Sequence, residues 1–292
     1  MKIHNLGSIN IDFVYSLEHF VKPGETIACA GFAKFAGGKG FNQSTALARA
    51  GADVAHIGAI GADGAWLVDA LAKDGADVSR ISVLGDGTPT GHAIIQVDKQ
   101  GQNCIIIESG ANGAITEAMV DAALSNAAPG DWLLAQNETS SIAHAMRCAK
   151  ARGMRVAINP APMNAAALSL PLELADVLIV NETESAELTK CENAFDALRE
   201  RYPNATIVLT LGGDGVMAAA PGGGVLTCGA LPVEVVDTTA AGDCFTGYLL
   251  AEMMRETTLA DALKTATTAA AICVSRHGAS VSVPWRSEVE RM

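Results

Sequence analysis

The hydrophobic residues of this chain fall into short β-branched runs separated by longer alanine-rich stretches with helical spacing. The alanine-rich stretches include "TEAMVDAALSNA" and "SIAHAMRCAKARG". The predicted strands are "VAHIGAI" from 54, "WLLAQ" from 132, "RVAIN" from 155, "VLIVN" from 177 and "TIVLTLG" from 206. Strands that alternate with helices predict an α/β fold that is doubly wound, with a mostly parallel sheet and helices on both faces.

Two regions break this alternation and indicate β-structure without helices. The first runs from "INIDFVYSLEHF" to "TIACAGFAKF", and the second, "GHAIIQVDKQGQNCIIIES", is typical of a hairpin around "DKQGQN". We interpret the two regions, about 10–36 and 90–109, as a small β-sheet lid inserted in the α/β core. The sequence has no fixed-period repeat and no low-complexity linker, so residues 1–292 are expected to form a single domain.

Composition and charge limit the class of protein. The chain has 292 residues, of which 49% are hydrophobic, so it can bury a full core. Its apolar runs are far shorter than the roughly 20 residues of a membrane helix, and "MKIHNLGSIN" lacks the apolar stretch of a signal peptide. A net charge of −12 argues against a broad nucleic-acid or anionic-membrane surface. We therefore expect a cytoplasmic protein.

Cysteine and histidine spacing gives no sign of a metal centre. The seven cysteines are scattered without a C-x-x-C pair, which indicates neither a zinc site nor a disulfide framework. No histidine has a partner at a familiar metal-ligand spacing, and neither H-E-x-x-H nor G-x-S-x-G occurs. The segment "GGKG" also lacks the flanking residues of a P-loop, and "GAIGADG" does not match G-x-G-x-x-G. A Walker or Rossmann phosphate-binding loop is thereby excluded, and hydrolase and zinc interpretations lose their support.

Polar segments follow the ends of several predicted strands, where an open α/β sheet binds its ligands. "INPAP" begins at Ile158, "NETE" follows Val180, "TLGGDG" follows Leu209, and "VDTTAAGD" follows Val236 and opens a long apolar helix. We leave "INPAP" without a role, because Asn159 suits a helix cap equally well.

The segment "VDTTAAGD" predicts an anion site at the start of a helix. The residues there with almost no side chain are Ala240, Ala241 and Gly242. Their N–H groups can face an anion directly, and Asp243 in the first turn could take a proton from a hydroxyl held at the same place. The alternative is ordinary capping, in which Thr238 or Thr239 caps the helix and Asp243 only complements its dipole.

The ordered set of motifs "GSINID", "GGKGFNQ", "GANG", "NETE", "TLGGDG" and "DTTAAGDCFTG" resembles the ribokinase-like, or phosphofructokinase-B, family of carbohydrate kinases. The resemblance spans nearly the whole chain, and "GGKGFNQ" and "DTTAAGDCFTG" are its most specific motifs. It implies a doubly wound α/β domain with a β-sheet lid, which agrees with the fold predicted from the hydrophobic pattern.

The resemblance also implies a sugar pocket. Its residues would be Asn10, Asp12, Gly38, Lys39, Asn42, Glu138 and Asp243. Glycines in such a pocket let backbone N–H groups approach the sugar hydroxyls without bulk. Each motif has a plainer alternative interpretation: a solvated side chain in a loop for Lys39, and turn formers for Asn10 and Asp12.

The remaining motifs would bind the nucleotide and cations. By resemblance, Asn181 and Glu184 organise Mg²⁺ through water, whereas the alternative is a helix cap. Thr210, Gly212 and Gly215 would contact the nucleotide, although the same residue pattern is also typical of a tight turn. The K⁺ ligands implied by the resemblance are Asp237, Thr239, Cys273, Arg276, Gly278 and Ser282. Without K⁺, Asp237 would pair with Arg276 or cap the helix.

The function that the resemblance implies is ATP-dependent phosphorylation of a sugar at a primary hydroxyl, with D-ribose as the leading substrate. The alternatives that the residues leave open are a nucleoside, fructose or keto-deoxy acid kinase, and a sugar-sensing or nucleotide-binding module without catalysis. Small-molecule partners are expected rather than nucleic acid or membrane. An exposed lid sheet also favours a homodimer formed through the lid.

Overall fold

The structure, a computed structural model, describes residues 1–85 and 87–292. Its strands are β1 (Ile3–Leu6), β2 (Asn10–Ser16), β3 (Gly31–Gly37), β4 (Val54–Ile60), β5 (Asp77–Val83), β6 (Gly91–Val97), β7 (Asn103–Glu108), β8 (Trp132–Gln136), β9 (Arg155–Asn159), β10 (Val177–Asn181), β11 (Thr206–Thr210), β12 (Val216–Ala219) and β13 (Leu226–Cys228). Its α-helices are α1 (Lys39–Arg49), α2 (Ala65–Asp74), α3 (Glu117–Ala123), α4 (Ile142–Ala151), α5 (Ala165–Leu168), α6 (Glu182–Thr189), α7 (Ala194–Arg201), α8 (Ala241–Met254), α9 (Leu259–Val274) and α10 (Arg286–Val289). Short 3-10 helices span Ala62–Gly64, Gly110–Ala114, Leu172–Leu174, Gly212–Asp214 and Ser280–Ser282.

The larger sheet is mostly parallel. Within the described ranges its strand order is β13-β12-β11-β10-β9-β8-β1-β4-β5. Neighbours from β11 to β5 run parallel, whereas β12 and β13 form an antiparallel edge. The doubly wound fold predicted from the sequence is confirmed, and each of the five strands predicted there occurs in this sheet.

Both faces of the larger sheet are buried, which explains its nearly continuous apolar strands. In β8, Trp132 and Leu134 pack into an apolar cluster with helices α1, α8 and α9. Leu133 and Ala135, the alternate residues of the same strand, pack into a second cluster with α3, α4 and α7. Since successive side chains of a strand point to opposite faces, the helices form one layer on each side.

A second, smaller sheet is built from the two regions that break the strand and helix alternation. Its order among the described strands is β3-β2-β6-β7. The central pair β2 and β6 is parallel, and each of the two is joined to an antiparallel outer neighbour. This sheet joins the α/β layer directly at Gly37, because β3 ends there and α1 begins two residues later.

One expected strand end is wrong. Val236 does not end a strand, because the chain between β13 and α8 has no regular structure. Val235 and Val236 are 62% and 40% exposed, so burial does not drive this apolar run into a sheet. Instead, the N–H groups of Val236 and Asp237 donate to the carbonyl of Val274 at the end of α9.

Among the described residues, no helix has the length and hydropathy needed to cross a bilayer.

Candidate functional site

Asp243 lies in the first turn of α8 and is fixed from two sides. Its side chain is 7% exposed. The amide of Asn42 donates to Oδ2 at 3.0 Å, and the amide of Gln43 donates to Oδ1 at 2.8 Å. Both donors belong to the start of α1, so two helices that are distant in sequence hold one carboxylate between them. The orientation of this carboxylate is therefore set before any ligand binds.

The glycines before and inside the start of α1 have packing reasons. Gly38, the N-cap of α1, has a φ of 91°, which glycine adopts without strain. A Cβ on Gly40 would lie 2.3 Å from the Cα of Gly7, which follows β1. A side chain at position 40 would push α1 away from the sheet and carry Asn42 and Gln43 with it. Close approach of backbone to backbone therefore explains Gly40, which carried no predicted sugar contact.

A cavity of about 240 Å³ opens at Asp243. Its polar and small lining residues are Lys39, Asn159, Asn181, Glu184, Thr210, Thr238, Ala240, Ala241, Gly242, Asp243 and Thr246. The carboxylate of Asp243 raises the pKa of Lys39, and Glu138 and Glu184 act in the same direction. Lys39 is therefore held as a cation between the acidic groups of the site.

The start of α8 presents backbone N–H groups to this cavity. Ala240 has a φ of 61° at the N-cap, and no side chain caps the helix, so capping by Thr238 or Thr239 is wrong. Ala241 N donates to the carbonyl of Thr238 at 3.3 Å, and the first full turn closes from Cys244 N to Ala240 O. A Cβ on Gly242 would meet no atom within 4 Å, since that position faces open space. These features fit an anion at the helix start.

A second cavity, of about 680 Å³, adjoins the first. The two share Asn181, Thr210, Thr238, Ala241 and Gly242. Gly212 and Gly215, the predicted nucleotide contacts, line the second cavity. Its apolar wall includes Leu231, Pro232, Val233, Ala270 and Val274, and the sequence analysis assigned none of them. Their signal was weak because they lie in an irregular loop and along an ordinary helix face.

Asn181 and Glu184 form the helix cap that the sequence left open as an alternative. Asn181 Oδ1 accepts from Glu184 N at 2.8 Å, and Glu184 Oε2 accepts from Asn181 N at 3.0 Å. Burial raises the pKa of Glu184, although the Asn181 N–H and Lys39 act against this rise. Both residues nevertheless line the first cavity. The cap uses one carboxylate oxygen of Glu184, so the other remains available to the site.

The other predicted sugar residues lie where the two sheets meet and do not line either cavity of the described chain. Asn10 Oδ1 accepts from Asn112 Nδ2 at 2.7 Å, and Asn112 Oδ1 accepts from Ile9 N. Glu138 Oε2 accepts from Ser8 Oγ and from Lys39 N, the latter at 2.9 Å. Lys39 thus connects this region to Asp243.

Asp12 lies on β2 of the smaller sheet, facing this junction. Burial and, to a smaller extent, the nearby Glu138 carboxylate together raise the pKa of Asp12 to about 7. Two acidic side chains are therefore brought together at the mouth of the site. Such a pair favours a ligand rich in hydroxyl donors, because the donors would relieve the repulsion.

A buried polar network behind Asp243 was missed from the sequence. Gln136 Nε2 donates to Gln43 Oε1 at 2.7 Å and to Asn5 Oδ1 at 2.9 Å. Asn5 in turn donates to Ser44 Oγ, which contacts His56 Nδ1 at 2.8 Å. Burial lowers the pKa of His56 to about 4, so this ring is neutral. The only sequence signal was a run of polar residues at positions that otherwise match buried strands and a helix.

The expected cation ligands lie in two neighbouring loops, before α8 and after α9. Asp237 accepts from Thr239 N and Gly278 N, each at 2.9 Å. Burial alone would raise the pKa of Asp237, but these hydrogen bonds hold it below its usual value. Arg276 pairs with Glu288 at 2.6 Å, so the alternative in which Arg276 neutralises Asp237 is wrong.

The rest of this loop pair is also assembled. Ser282 Oγ donates to the carbonyl of Ala279 and lies 3.0 Å from Cys273 Sγ. The same sulfur is 4.0 Å from the carbonyl of Thr239. Within residues 1–85 and 87–292, no lysine or arginine forms an ion pair with Asp237. The Asp237 carboxylate, the Ser282 hydroxyl and the Thr239 carbonyl of this loop pair are the donor chemistry that a hard cation prefers.

Comparisons with known proteins agree with this geometry. The pfkB family carbohydrate kinase profile matches residues 2–286. A ribokinase of Haemophilus influenzae is 38% identical over 294 residues, covering 97% of this chain and 95% of its own length. A ribokinase of Cryptococcus neoformans in complex with ADP superposes with a TM-score of 0.89 at 35% identity, covering 100% of this chain and 99% of that one. Arabidopsis thaliana ribokinase, complexed with ribose and ATP, gives a TM-score of 0.87 at 29% identity, covering 99% and 97%.

Family match, fold and site geometry lead to the same assignment, and each rests on a different observation. The match extends over nearly the whole chain. The near-complete coverage of full-length relatives excludes the sharing of a single motif. This chain belongs to the pfkB family of carbohydrate kinases.

Proposed function

We propose that the protein is an ATP-dependent kinase of D-ribose, which it phosphorylates at the primary hydroxyl to give ribose 5-phosphate. The observation that carries this proposal is the carboxylate of Asp243, held by Asn42 and Gln43 beside an anion-binding helix start. The relatives named ribokinase, and the one complexed with ribose and ATP, support ribose as the acceptor.

Asp243 acts as the general base. As the acceptor oxygen forms a bond to the γ-phosphorus, its proton passes to the Asp243 carboxylate. The bond between the γ-phosphorus and the bridging oxygen of ATP breaks at the same time, and ADP leaves with that electron pair. The amides of Asn42 and Gln43 keep the carboxylate aimed at the acceptor. General-base catalysis of this kind contributes about 10²-fold to 10⁴-fold in rate.

The start of α8 stabilises the charge that develops on the transferred group. The N–H groups of Ala240, Ala241 and Gly242 supply the positive end of the helix dipole there. Lys39 adds a full positive charge, because the Asp243 and Glu138 carboxylates raise the pKa of its ammonium. The helix start and the Lys39 ammonium would both stabilise the negative charge of a phosphoryl group bound there.

The nucleotide occupies the two adjoining cavities. The phosphates lie in the polar cavity, with Thr210 where the two cavities join. Gly212 and Gly215 line the larger cavity, and the base packs against its apolar wall. The residues that would hold Mg²⁺ are Asn181 and Glu184, through water, since Mg²⁺ dehydrates reluctantly. When bound, Mg²⁺ neutralises charge on the phosphate oxygens. The free oxygen of Glu184 fits this role.

The residues at the junction of the two sheets bind the sugar. Asn10 and Asp12 on β2 accept from ring hydroxyls, Gly38 and Lys39 approach through the start of α1, and Glu138 contacts the sugar from the main sheet. The smaller sheet, from about 10–36 and 90–109, is the lid of one kinase domain that spans residues 1–292. Its closure excludes water, which would otherwise accept the phosphoryl group.

A K⁺ ion bound by Asp237, Ser282 and the carbonyls of Thr239, Cys273, Arg276 and Gly278 would fix the loop before α8. The donor set fits, because Asp237 has no basic partner in the described chain and the same loop pair carries the Ser282 hydroxyl and the Thr239 carbonyl. A bound K⁺ supplies the missing positive charge. The ordered loop in turn aims the first N–H groups of α8.

The lid also serves as a homodimer interface in this proposal. Ile105, Ile106 and Ile107 on β7 are all exposed, so neither face of this edge strand is covered within one chain. Phe32 and Phe35 on β3 are exposed as well. A second copy of the lid would bury these residues.

The proposed reaction consumes ATP, which agrees with the cytoplasmic location expected from the sequence.

The experiment that tests the proposed function measures ADP formation from ATP and Mg²⁺ with a panel of pentoses, hexoses, nucleosides and keto-deoxy sugar acids. Ribose should give the highest kcat/KM, and phosphorus NMR should place the phosphate on the primary hydroxyl. Asp243→Asn, purified in the same way, controls for contaminating kinases. A higher kcat/KM with another acceptor overturns the ribose assignment, and ADP formation that ignores every acceptor overturns the kinase assignment.

A further inference from the structure

Four side chains with metal-ligand chemistry meet on helices α3 and α4, and none of them lines the cavities found in the described chain. Glu117 and Asp121 are four residues apart on α3, and His144 and Cys148 are four residues apart on α4. Residues with this spacing share one face of a helix. Each helix therefore contributes a pair of side chains to the same seam.

The distances within this seam are short. His144 Nε2 lies 2.9 Å from Asp121 Oδ1. Cys148 Sγ lies 3.3 Å from each of these two atoms. The other ring nitrogen of His144, Nδ1, is 3.5 Å from Glu117 Oε2. A sulfur, a nitrogen and an oxygen thus form a triangle, and a fourth group touches the back of the imidazole.

This triangle has nearly the size that a tetrahedral zinc ion requires. Zinc bonds of about 2.0–2.3 Å place neighbouring ligand atoms roughly 3.3–3.7 Å apart. The three atoms need to separate by only a few tenths of an ångström. The side chains of Asp121 and His144 are 52% and 24% exposed, so they can adjust and an ion can enter from solvent.

The position of Glu117 strengthens the comparison with known zinc sites. A histidine that binds a metal through one ring nitrogen almost always donates the other N–H to a carboxylate, carbonyl or water. Glu117 Oε2 lies 3.5 Å from His144 Nδ1, while Nε2 contacts Asp121 and Cys148. When a metal occupies Nε2, the ring proton must lie on Nδ1, where Glu117 is near enough to accept it.

The charges of the cluster balance once a divalent cation displaces the thiol proton. Without a metal, burial and Asp121 raise the pKa of Cys148, which favours the neutral thiol. With the metal-bound thiolate, Glu117, Asp121 and Cys148 carry three negative charges. The guanidinium of Arg152, whose Nη1 donates to the carbonyl of Cys148 at 3.3 Å, contributes one positive charge. A divalent cation would bring the cluster to neutrality, and the thiol proton would pass to solvent.

We propose that Cys148 Sγ, His144 Nε2 and Asp121 Oδ1 bind one zinc ion, with Glu117 orienting the imidazole and water in the fourth position. A mixed sulfur, nitrogen and oxygen set selects Zn²⁺ over Mg²⁺, which prefers oxygen ligands alone. The ion joins α3 to α4 and stabilises the folded chain. The two ligand pairs lie on different helices and only their packing brings Asp121 to His144, so spacing along the chain does not reveal the site.

Cobalt is the probe for the first test, since Co²⁺ replaces Zn²⁺ and absorbs strongly when bound to a thiolate. Titration of the metal-free protein with Co²⁺ should produce a thiolate-to-cobalt band that saturates at one ion per chain. The band should disappear in Cys148→Ser and in His144→Gln and persist in Cys191→Ser, a matched variant at an exposed cysteine elsewhere. Absence of the band in the wild type, or an equal band in Cys148→Ser, overturns the proposal.

The second test measures Zn²⁺ affinity by calorimetry in folded variants of the neighbouring residues. Glu117→Gln should weaken binding about 10-fold to 100-fold, as the loss of an orienting partner does. Arg152→Gln should strengthen binding, because it removes the opposing charge. Zn²⁺ should also raise the thermal unfolding midpoint of the wild type and leave that of Cys148→Ser unchanged. Equal affinities in all variants, or equal midpoint shifts, contradict the site.

Discussion

The side-chain amide of Gln43 donates a hydrogen bond to a carboxylate oxygen of Asp243, with 2.8 Å between the two atoms. Gln43 is completely buried and its own oxygen accepts from Gln136. The Gln43 amide is therefore fixed at both ends, and it holds the carboxylate of Asp243, the proposed base, in a set position relative to the sheet. A base that is displaced by about 1 Å can lose roughly 10² in rate, so this support has catalytic consequences.

Gln43→Leu tests this support. Leucine keeps the volume but removes the donor, so the Asp243 carboxylate keeps only the Asn42 amide. We expect kcat to fall by up to about 10²-fold, with little change in the KM for ATP. Steady-state kinetics and a thermal unfolding midpoint should be measured together. A wild-type kcat in a folded variant would show that Asn42 alone positions the carboxylate.

Asp243→Asn tests the base itself. Asparagine has the same size and still occupies the first turn of α8, but its amide does not take up the proton. We expect kcat to fall by about 10²-fold to 10⁴-fold while ATP and ribose binding, measured by calorimetry, stay nearly intact. A variant with wild-type kcat contradicts the role. A variant that no longer folds would instead assign Asp243 to the stability of the α1 and α8 contact.

The pH dependence of sugar binding tests Asp12. Burial raises the pKa of Asp12 to about 7, so its carboxyl group is largely protonated below that pH. Only the ionised group accepts from two hydroxyls at once, and ribose binding should therefore weaken as the pH falls through about 7. The KM for ribose, measured at saturating ATP, should rise in acid and the KM for ATP should not follow it.

Asp12→Asn is the matched variant for this profile. It should raise the KM for ribose at every pH and abolish the rise in acid, because no titrating group remains at position 12. 2-Deoxyribose should be a poorer substrate than ribose for the wild type, since a missing hydroxyl leaves a buried acceptor unpaired. An unchanged pH profile in Asp12→Asn would assign the titration to another group.

The main sheet could be predicted because its strands are buried on both faces. Runs such as "VLIVN" have no polar alternation to confuse with a helix, and β10 spans those five residues. The exposed apolar run before Asp237 misled the analysis for the opposite reason. Its valines are only partly buried, and their place is set by the end of α9, which lies about 40 positions later in the chain.

The candidate site was predictable to the extent that its residues lie within short motifs. Asp243 and Lys39 belong to such motifs, and the structure brings both to one cavity. The supports around them were not predictable, because Gln136 and Asn5 look like misplaced polar residues until β8 and β1 pair. The local cap of Asn181 and Glu184 followed from spacing alone, whereas its use in metal binding depends on neighbours from other strands.

We expect a single charged substitution in the lid to dissociate the proposed homodimer. Ile106 on β7 is 60% exposed in a single chain, and a lysine there would be buried against the partner lid. We expect the wild type to be a dimer by light scattering after gel filtration, and Ile106→Lys to be a monomer. Leu168→Lys, at another exposed apolar position away from the lid, should remain a dimer. A monomeric wild type, or a dimeric Ile106→Lys, contradicts the interface.

Potassium should increase the rate through the loop that precedes α8. Both carboxylate oxygens of Asp237 accept backbone N–H groups, and Gly278 ties this loop to the segment after α9. A monovalent cation at this junction would hold the loop in one conformation and aim the N–H groups of Ala241 and Gly242 at the transferred phosphoryl. Because the effect acts on the transition state, K⁺ should raise kcat more than it lowers KM.

The measurement replaces K⁺ by tetramethylammonium at constant ionic strength and compares initial rates in the wild type and in Asp237→Ala. The large organic cation does not fit among oxygen ligands, so the wild-type kcat should fall on exchange. Asp237→Ala should have the lower kcat in both salts and respond little to the exchange, because it lacks the charged ligand. Arg276→Gln serves as the control, since its side chain pairs with Glu288 and only its carbonyl belongs to the site. A wild-type rate that ignores the exchange rules out the cation site, and an equal response in Asp237→Ala moves it elsewhere in the protein.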